Sequence, residues 1–462
     1  MIIFPEGFLF LHFAATWLTT LINRRHLKNN NQPANMIIAI AITFVLGYFT
    51  IAMEGPLKVN KAAAALVTAG LCWSLFAVLS GDSNRVAEKL TSQLGSVSGI
   101  LFFLLGAMTI VELIDANDGF YLITKRIKTT DKKKLVWLVA FITFFLSSIL
   151  DNLTTTIVLV SLLRKIISDK QERLMFAALV VIAANAGGAF SPIGDVTTTM
   201  LWIGGQITTY SIILQTFLPS LISLLVPALL ISRQMKGRLQ VREDSAVLNE
   251  NFNTNAFDRN LVFGLGISCL LFVPVFKTLT GLPPFLGMLF GLGLLWVITE
   301  LKDSKRDEEE KGPLSVNHAL RKIDTASVLF FLGILLTIGA LEATGILDNV
   351  ATVMNEKIGH ITIITLVIGM LSAVVDNVPL VAAAQGMYPL SVYPTDHYFW
   401  EFLAYCAGTG GSMLIIGSAA GVAAMGLEKI DFIWYLKKVS WLAIIGYFAG
   451  AAVFLLQHYL MQ

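Results

Sequence analysis

Two stretches decide how this chain folds: SSILDNLTTT at 147–156 and SAVVDNVPLVAAA at 372–384. Each sets an Asp-Asn pair, Asp151-Asn152 and Asp376-Asn377, in the middle of an apolar run. Acids inside a membrane segment are costly and by default mark function. The apolar arms on either side are 135–150 with 153–167, and 360–375 with 378–388. An arm of 16 helical residues reaches about 24 Å, against a hydrocarbon core of about 30 Å. Such arms predict a helix that enters the bilayer, turns at the Asp-Asn pair and leaves by the side it entered.

The surroundings are those of a membrane protein. Of 462 residues, 55% are hydrophobic and only 14% charged. A soluble domain carries about 25% charged residues. Apolar segments of spanning length fall at 36–54, 61–81, 96–117, 174–203, 208–232, 260–278, 283–301, 324–346, 400–426 and 433–457. The net charge of +2 points to no nucleic-acid partner. Cys72, Cys269 and Cys406 lie scattered in apolar runs, form no CxxC, and read as small core residues. Phe8 to Ile22 is apolar, but its basic residues (Arg24, Arg25, Lys28) follow it, unlike those of a signal peptide. It reads as an extra N-terminal helix, 1–35 with its loop.

The two halves resemble each other. LFFLLGAMTI begins at Leu101 and LFFLGILLTI at Leu329, identical at six of ten positions with an offset of 228. The Asp-Asn pairs follow at an offset of 225, and then Gly187-Gly188 and Gly410-Gly411 at 223. The pattern predicts a first repeat over 36–232, a linker over 233–259 and a second repeat over 260–457. Internal repeats with interrupted apolar segments mark secondary transporters, with the binding site at the interruptions.

Basic residues then set the orientation. Lys125, Arg126, Lys128 and Lys132 to Lys134 flank one end of the first short pair, and Arg164, Lys165, Lys170 and Arg173 the other. Both ends are therefore cytoplasmic. The second pair has Lys357 alone, and both its ends face outward. The repeats are thus inverted, and the C-terminus is extracytoplasmic. Segments 119–128 and 346–354 read as amphipathic helices lying in the interface.

The chemistry concentrates at the interruptions. Asn152, Thr154 and Thr155 add oxygens to Asp151 and to the carbonyls freed by a helix break, a set that suits a hard cation. An N-cap role for Asp151 is compatible with this. Pro379 falls where a new half-helix begins after Asn377. Segment 185–199, NAGGAFSPIGDVTTT, cannot continue as regular helix, and offers Asn185, Asp195, Thr197 and Thr198. Its counterpart 408–421, GTGGSMLIIGSAAG, has Thr409, Ser412 and Ser418 but no acid, so the two sites should differ. Asp151 and Asp376 are also proton-relay candidates, as are Glu112 and Glu342 late in the paired LFF spans. The membrane acids lack the Gly-x-Gly-Asp signature of an intramembrane aspartyl protease, since Pro-Ile-Gly precedes Asp195, and no HExxH occurs. No enzymatic activity and no resident cofactor are expected.

These motifs resemble the NhaD-type sodium/proton antiporters of the ion transporter superfamily. The match rests on GAMTIVELIDA (106–116), LDNLTTTIVLVSLLRK (150–165), ANAGGAFSPIGDVTTTMLWIGGQ (184–206), VVDNVPLVAAAQGMY (374–388) and GTGGSMLIIGSAAGVAAMG (408–426). The resemblance implies an all-α polytopic fold with two re-entrant hairpins and two broken helices. It also implies a homodimer with scaffold and transport domains, moving elevator-fashion in a bacterial-type inner membrane. It carries the family's polar residues onto Asp151, Asn152, Asn185, Asp195, Thr197, Thr198, Ser372, Asp376, Asn377 and Ser412. The expected activity is exchange of sodium or lithium for protons. The superfamily's sodium-coupled dicarboxylate or metalloid-anion carriers are the alternative, disfavoured because acids at both tips repel a carboxylate. The acid in the first break makes the Asp151 side the stronger cation holder, with Asp376 weighted toward protons.

Overall fold

A computed structural model describes residues 33–124, 129–235, 237–239, 254–304 and 312–461. The expected helix Phe8 to Ile22, its basic residues and the Lys125–Lys128 cluster lie outside these. Regular secondary structure among the described residues is helical, apart from an isolated bridge between Asp131 and Arg238. Nine described helices are long and apolar enough to cross a membrane, or ten if one bent pair counts as a single span. The chain is a multi-pass membrane protein.

The main helices are α1 (Ala34–Ala52), α2 (Lys61–Ser80), α3 (Ser83–Ala116), α4 (Lys132–Leu150), α5 (Asn152–Ile166) and α6 (Lys170–Gly188). There follow α7 (Val196–Ile203), α8 (Thr209–Gln234), α9 (Ala256–Thr280), α10 (Pro284–Asp303) and α11 (Thr325–Ala343). The last six are α12 (Ile346–Ile358), α13 (Ile361–Leu371), α14 (Asn377–Met387), α15 (Tyr398–Gly410), α16 (Ala419–Glu428) and α17 (Ser440–Met461). The chain divides into two compact units. The first reaches to Leu101 and takes in Asp324–Ile364 and Val378–Tyr393; the second is Phe102–Ile323, Thr365–Asn377 and Pro394–Gln462.

Several boundaries differ from the sequence expectation, among them the starts of α6 at Lys170 (not 174) and α9 at Ala256 (not 260), and the end of α13 at Leu371 (not 375). The first hairpin arm begins at Lys132, not 135, because the Asp131 carboxylate caps it at the Lys134 amide, 2.9 Å away. Its 19 residues span about 28 Å, so this arm is not short. Helix α3 starts 13 residues before the expected 96, carrying polar turns ahead of its apolar run. The segment expected over 433–457 is split at Val439, between a short helix Phe432–Lys438 and α17. Helix α12 does not continue α11: Gly345 at φ +73° ends α11, and Gly359 at φ +76° ends α12. Left-handed glycine is the usual stop after a helix C-terminus. Of the segment 119–128, a turn of helix at Tyr121–Thr124 is described.

In the first unit, α2 packs against α1 and α11 through small residues. Gly47 lies on Thr68, and Gly333 on the backbone of Ala65 and Leu66. Lipid supplies no hydrophobic drive between helices, so close backbone approach does the work. The Trp73 indole donates to the Leu336 carbonyl at 2.8 Å, and Lys89 Nζ to the Ala343 carbonyl at 2.8 Å.

In the second unit the core is built from the first arms of two interrupted helices. Every residue of α6 from Phe176 to Gly188 is buried, and so is all of α15 from Phe399 to Gly410. A helix apolar on all sides belongs inside. Helices α4 and α5 pack on α6 as an antiparallel pair. Ser147 late in α4 donates to the Ala184 carbonyl at 2.6 Å, while Lys132 at its start pairs with Glu172. Asn152 at the start of α5 bonds Asn185, while the carbonyl of Ile167, just past its end, accepts from Arg173 at 3.1 Å. The chain therefore reverses at Asp151.

Helix α8 contains Pro219 and Pro227. A proline frees the carbonyl four residues back, here those of Gln215 and Ser223. The Gln457 side-chain amide from α17 donates to the Gln215 carbonyl at 3.3 Å, and Gly446 lies directly on the Ser223 carbonyl.

Candidate functional site

Helices α6 and α15 both stop in mid-unit and resume as α7 and α16, after breaks at 189–195 and 411–418. Gly187 touches the Phe144 backbone and Gly410 the Gly369 backbone. Gly188 faces the Gly194 carbonyl and Asp195 Cβ, and Gly411 faces the Gly417 carbonyl and Ser418 Cβ. Ser147 donates to the Ala184 carbonyl, and Ser372 to that of Ala407 at 2.8 Å. Asp195 and Ser418 cap α7 and α16 with nearly the same torsions, φ −147° ψ 149° and φ −147° ψ 157°. The same contacts therefore recur at offsets of 223 to 225, and Ser418 stands where the first half has Asp195. No side chain beyond hydrogen fits at Gly187 or Gly410 without displacing backbone.

Asp195 is the centre of the site. It is buried, and one carboxylate oxygen accepts from the Thr197 amide at 2.9 Å and its hydroxyl at 2.8 Å. The other accepts from the Asn152 amide at 2.5 Å. The Asn377 amide lies 3.4 Å from both oxygens. The second members of the two Asp-Asn pairs thus meet on one carboxylate. Asn185 joins the breaks: its oxygen accepts from Asn152 at 3.1 Å, and its amide nitrogen donates to Ser412 and to Ser418, each at 2.9 Å.

Asp151 is half-buried, and its carboxylate accepts from the Thr154 amide at 2.7 Å and hydroxyl at 2.8 Å. It caps α5, as the spacing allowed. Its backbone is unusual, with φ +112° and ψ 161°, a region essentially confined to glycine and costing about 1–3 kcal/mol for other residues. Asp376 is half-buried and is not among the described residues with positive φ. Asp195 stands within electrostatic reach of both Asp151 and Asp376.

The remaining expected ligands divide. Thr198 Oγ1 donates to the Asp195 carbonyl at 2.9 Å, and Thr197 and Thr154 are held by aspartates. The Thr155 hydroxyl is buried without a hydrogen-bond partner, as is that of Thr156 beside it. Ser372 spends its proton on the Ala407 carbonyl. Glu112 pairs with Lys322 at 3.4 Å near the end of α3. Glu342 is exposed at the last turn of α11, in the first unit, with Lys89 and Asp348 in its electrostatic surroundings. One contributor escaped the sequence reading: Tyr435, whose hydroxyl donates to the Ser412 carbonyl in the break at 2.9 Å. Ser418, expected only as one of three hydroxyls in the second break, is the partner of Asn185. A serine just ahead of AAGVAAMG is a capping signal that could have singled out Ser418.

Among the described residues no three acids, histidines or cysteines converge as a resident metal centre would need. What converges is a buried carboxylate ringed by amides and hydroxyls, with two further carboxylates near it. Such a set can hold one hard monovalent cation or a proton, and release either.

His397 caps the start of α15: its Nδ1 accepts from the Phe399 amide at 3.2 Å. A protonated ring cannot accept. Burial, and secondarily His458, hold this imidazole below its usual value. Asp396 precedes it, Glu401 lies one turn on, and Tyr398 lies tilted against His397 and stacked on His458. The folded state favours neutral His397, so this contribution is complete above pH of about 6.5 and is lost as pH falls below it. The melting temperature in detergent should fall on that side, and His397→Asn, which keeps a cap without the titration, should flatten the fall. An unchanged profile in the variant would exclude the cap as its source.

A family model described as citrate transporter matches residues 48–401. Sodium/proton antiporter 1 of Arabidopsis thaliana is 50% identical over 427 residues, covering 92% of this chain and 73% of that protein. Two proteins named Na(+)/H(+) antiporter NhaD are similar along most of their length. That of Alkalimonas amylolytica is 31% identical over 448 residues, 90% of each chain. That of Vibrio cholerae is 30% identical over 457 residues, 90% of this chain and 91% of its own. The family model takes in the first break, and the relatives match nine-tenths of the chain: the chain belongs to the citrate transporter family and to the NhaD-type sodium/proton antiporters.

Proposed function

We propose that this chain exchanges cytoplasmic sodium or lithium for external protons, with cation and proton competing for the carboxylates of one site. The observation that carries the reading is Asp195, buried and bonded by the amides of Asn152 and Asn377. Asp151 and Asp376 stand close enough to act on it electrostatically. A buried carboxylate with two half-buried ones beside it is repelled by them unless a proton or a cation neutralises the set. A bound cation therefore expels protons, and protons expel the cation. Competition at one site makes exchange obligatory without a separate sensor. The names of the relatives support the same pair of ions.

The halves are read as an inverted repeat, supported by the drifting offsets, the matched break contacts and the basic residues. The Asp151 hairpin then opens to the cytoplasm, the Asp376 hairpin opens outside, and the C-terminus is extracytoplasmic. An elevator-type movement in a homodimer, in a bacterial-type inner membrane, follows from the resemblance. The Asp151 side, whose half carries the acid in its break, is the stronger cation holder.

The test is dequenching of a pH dye in everted vesicles on addition of sodium, lithium or potassium across a range of pH. Asp151→Asn and Asp376→Asn should each lose most of the signal. Full exchange in both variants would end the reading. Uptake of labelled succinate or arsenite would instead favour an anion carrier of the same family.

A further inference from the structure

Far from Asp195 along the helices lies another buried acid. Glu428, the last residue of α16, is 4% exposed. Its Oε2 accepts from Arg173 Nε at the start of α6 at 2.7 Å, and its Oε1, which accepts no hydrogen bond, lies in an ion pair 3.4 Å from Arg164 Nε late in α5. Arg173 also donates through Nη1 to the Ile167 carbonyl, which closes α5. One carboxylate and two guanidinium groups thus tie three helix ends together.

The opposite ends of the same helices carry the cation site. Helix α5 begins after Asp151, α6 bears Asn185, and α16 is capped by Ser418. From Arg164 back to Asn152, and from Arg173 on to Asn185, is 12 residues, about 18 Å of helix. From Glu428 back to Ser418 is 10 residues, about 15 Å. The three arms are nearly equal in length, and α16 packs on both α5 and α6. A helix is stiff, so a slip at one end appears at the other.

We propose that Glu428 is a positioning residue for the exchange site: an ionic latch with Arg173 and Arg164 that sets the register of α5, α6 and α16. It thereby sets the spacing of Asp151, Asn185 and Ser418. The inference rests on the exchange reading for its kinetic consequence, but not for its geometry. Burying an ion pair is a poor source of stability, though removing one partner is costly because the other is left bare. The role assigned to the latch is alignment. The basic residues place it at the cytoplasmic end, where the cation enters.

The outer end offers a contrast. Asp396, just before α15, accepts from the Thr208 amide at 2.6 Å and hydroxyl at 2.8 Å, beyond the end of α7. Arg173 and Asp396 occupy matched positions, again offset by 223, so each interrupted pair is tied at its own end. The outer tie uses neutral donors and the inner one a salt bridge.

The experiment combines transport kinetics with a distance measurement. Glu428→Gln should raise the sodium KM about tenfold, as loss of an outer-shell partner does to a metal site, with maximal rate changed less than about twofold. Arg173→Lys should do the same, because an ammonium cannot serve Glu428 and the Ile167 carbonyl in one geometry. Spin labels at Ile157→Cys on α5 and Val422→Cys on α16, with the three native cysteines replaced, report the spacing without any ion. Their distance distribution should broaden in Glu428→Gln. If Glu428→Gln does not fold, the half-exposed Arg164→Gln should give the same signs in smaller measure. Arg173→Lys with wild-type KM, or unchanged label distances in Glu428→Gln, would overturn the proposal. A wild-type chain without sodium-dependent exchange would retire the exchange reading and leave the label distances to decide the latch alone.

Discussion

Asp195→Asn should abolish sodium-dependent exchange, raising the KM about 100-fold or removing the signal. An asparagine has one oxygen where the carboxylate has two, and both are used. One accepts twice from Thr197, the other from Asn152, with the Asn377 amide near both. The variant must turn an NH2 group toward one of these donors. A buried donor facing a donor costs about 1–3 kcal/mol, and the charge that attracts the cation is lost as well. The effect should exceed that of Asp376→Asn, because Asp195 is where the amides of both Asp-Asn pairs meet. Dequenching rates across sodium concentration measure it, and a wild-type KM in Asp195→Asn would show that the carboxylate is not the cation's.

The second large effect separates stability from function at Asp151. Its backbone sits at φ +112°, where glycine is at ease and other residues are strained by about 1–3 kcal/mol. Glycine is also a fair N-cap, costing only a few tenths, about 0.3 kcal/mol, against aspartate. Asp151→Gly should therefore be more stable than the natural chain by about 1–2 kcal/mol. Asp151→Ala keeps the strain and loses the cap, so it should be less stable by about 1 kcal/mol. Both should lose exchange. Melting temperatures in detergent, read beside vesicle assays, test the contrast. Asp376→Gly supplies the control: Asp376 has no positive φ, and relief should not appear there. If both Asp151 variants melt below the natural chain, the strain is not real.

Much of this was legible in one dimension. The Asp-Asn pairs, the glycine pairs and the acid beside Gly194 announce themselves because each breaks a rule of membrane helices within a few residues. The hairpin turn at Asp151 follows from the same local signal. Arm lengths did not, since hydropathy ends where charge begins, whereas Lys132 to Lys134 and the polar start of α3 remain helical. The ranking of the acids was also hidden. Asp195 reads as a helper in sequence, and becomes the centre only when Asn152 and Asn377 converge on it. Glu428 and Arg173 lie 255 positions apart, and each alone resembles an ordinary charge at a helix end. The same holds for Tyr435, whose bond to the broken backbone no spacing announces.

The two prolines of α8 have a consequence for how the protein is made. Nothing in hydrocarbon replaces the bonds they remove. The freed Gln215 carbonyl is met by Gln457, 242 positions later. During synthesis α8 enters the bilayer long before α17 exists, and must carry that bare carbonyl, or hold it against water or a helper protein, until the later helix arrives. The middle of the chain is thus completed last. A ribosome stalled before α17 would leave a chain whose first half is inserted yet unfinished, and a natural target for membrane quality control.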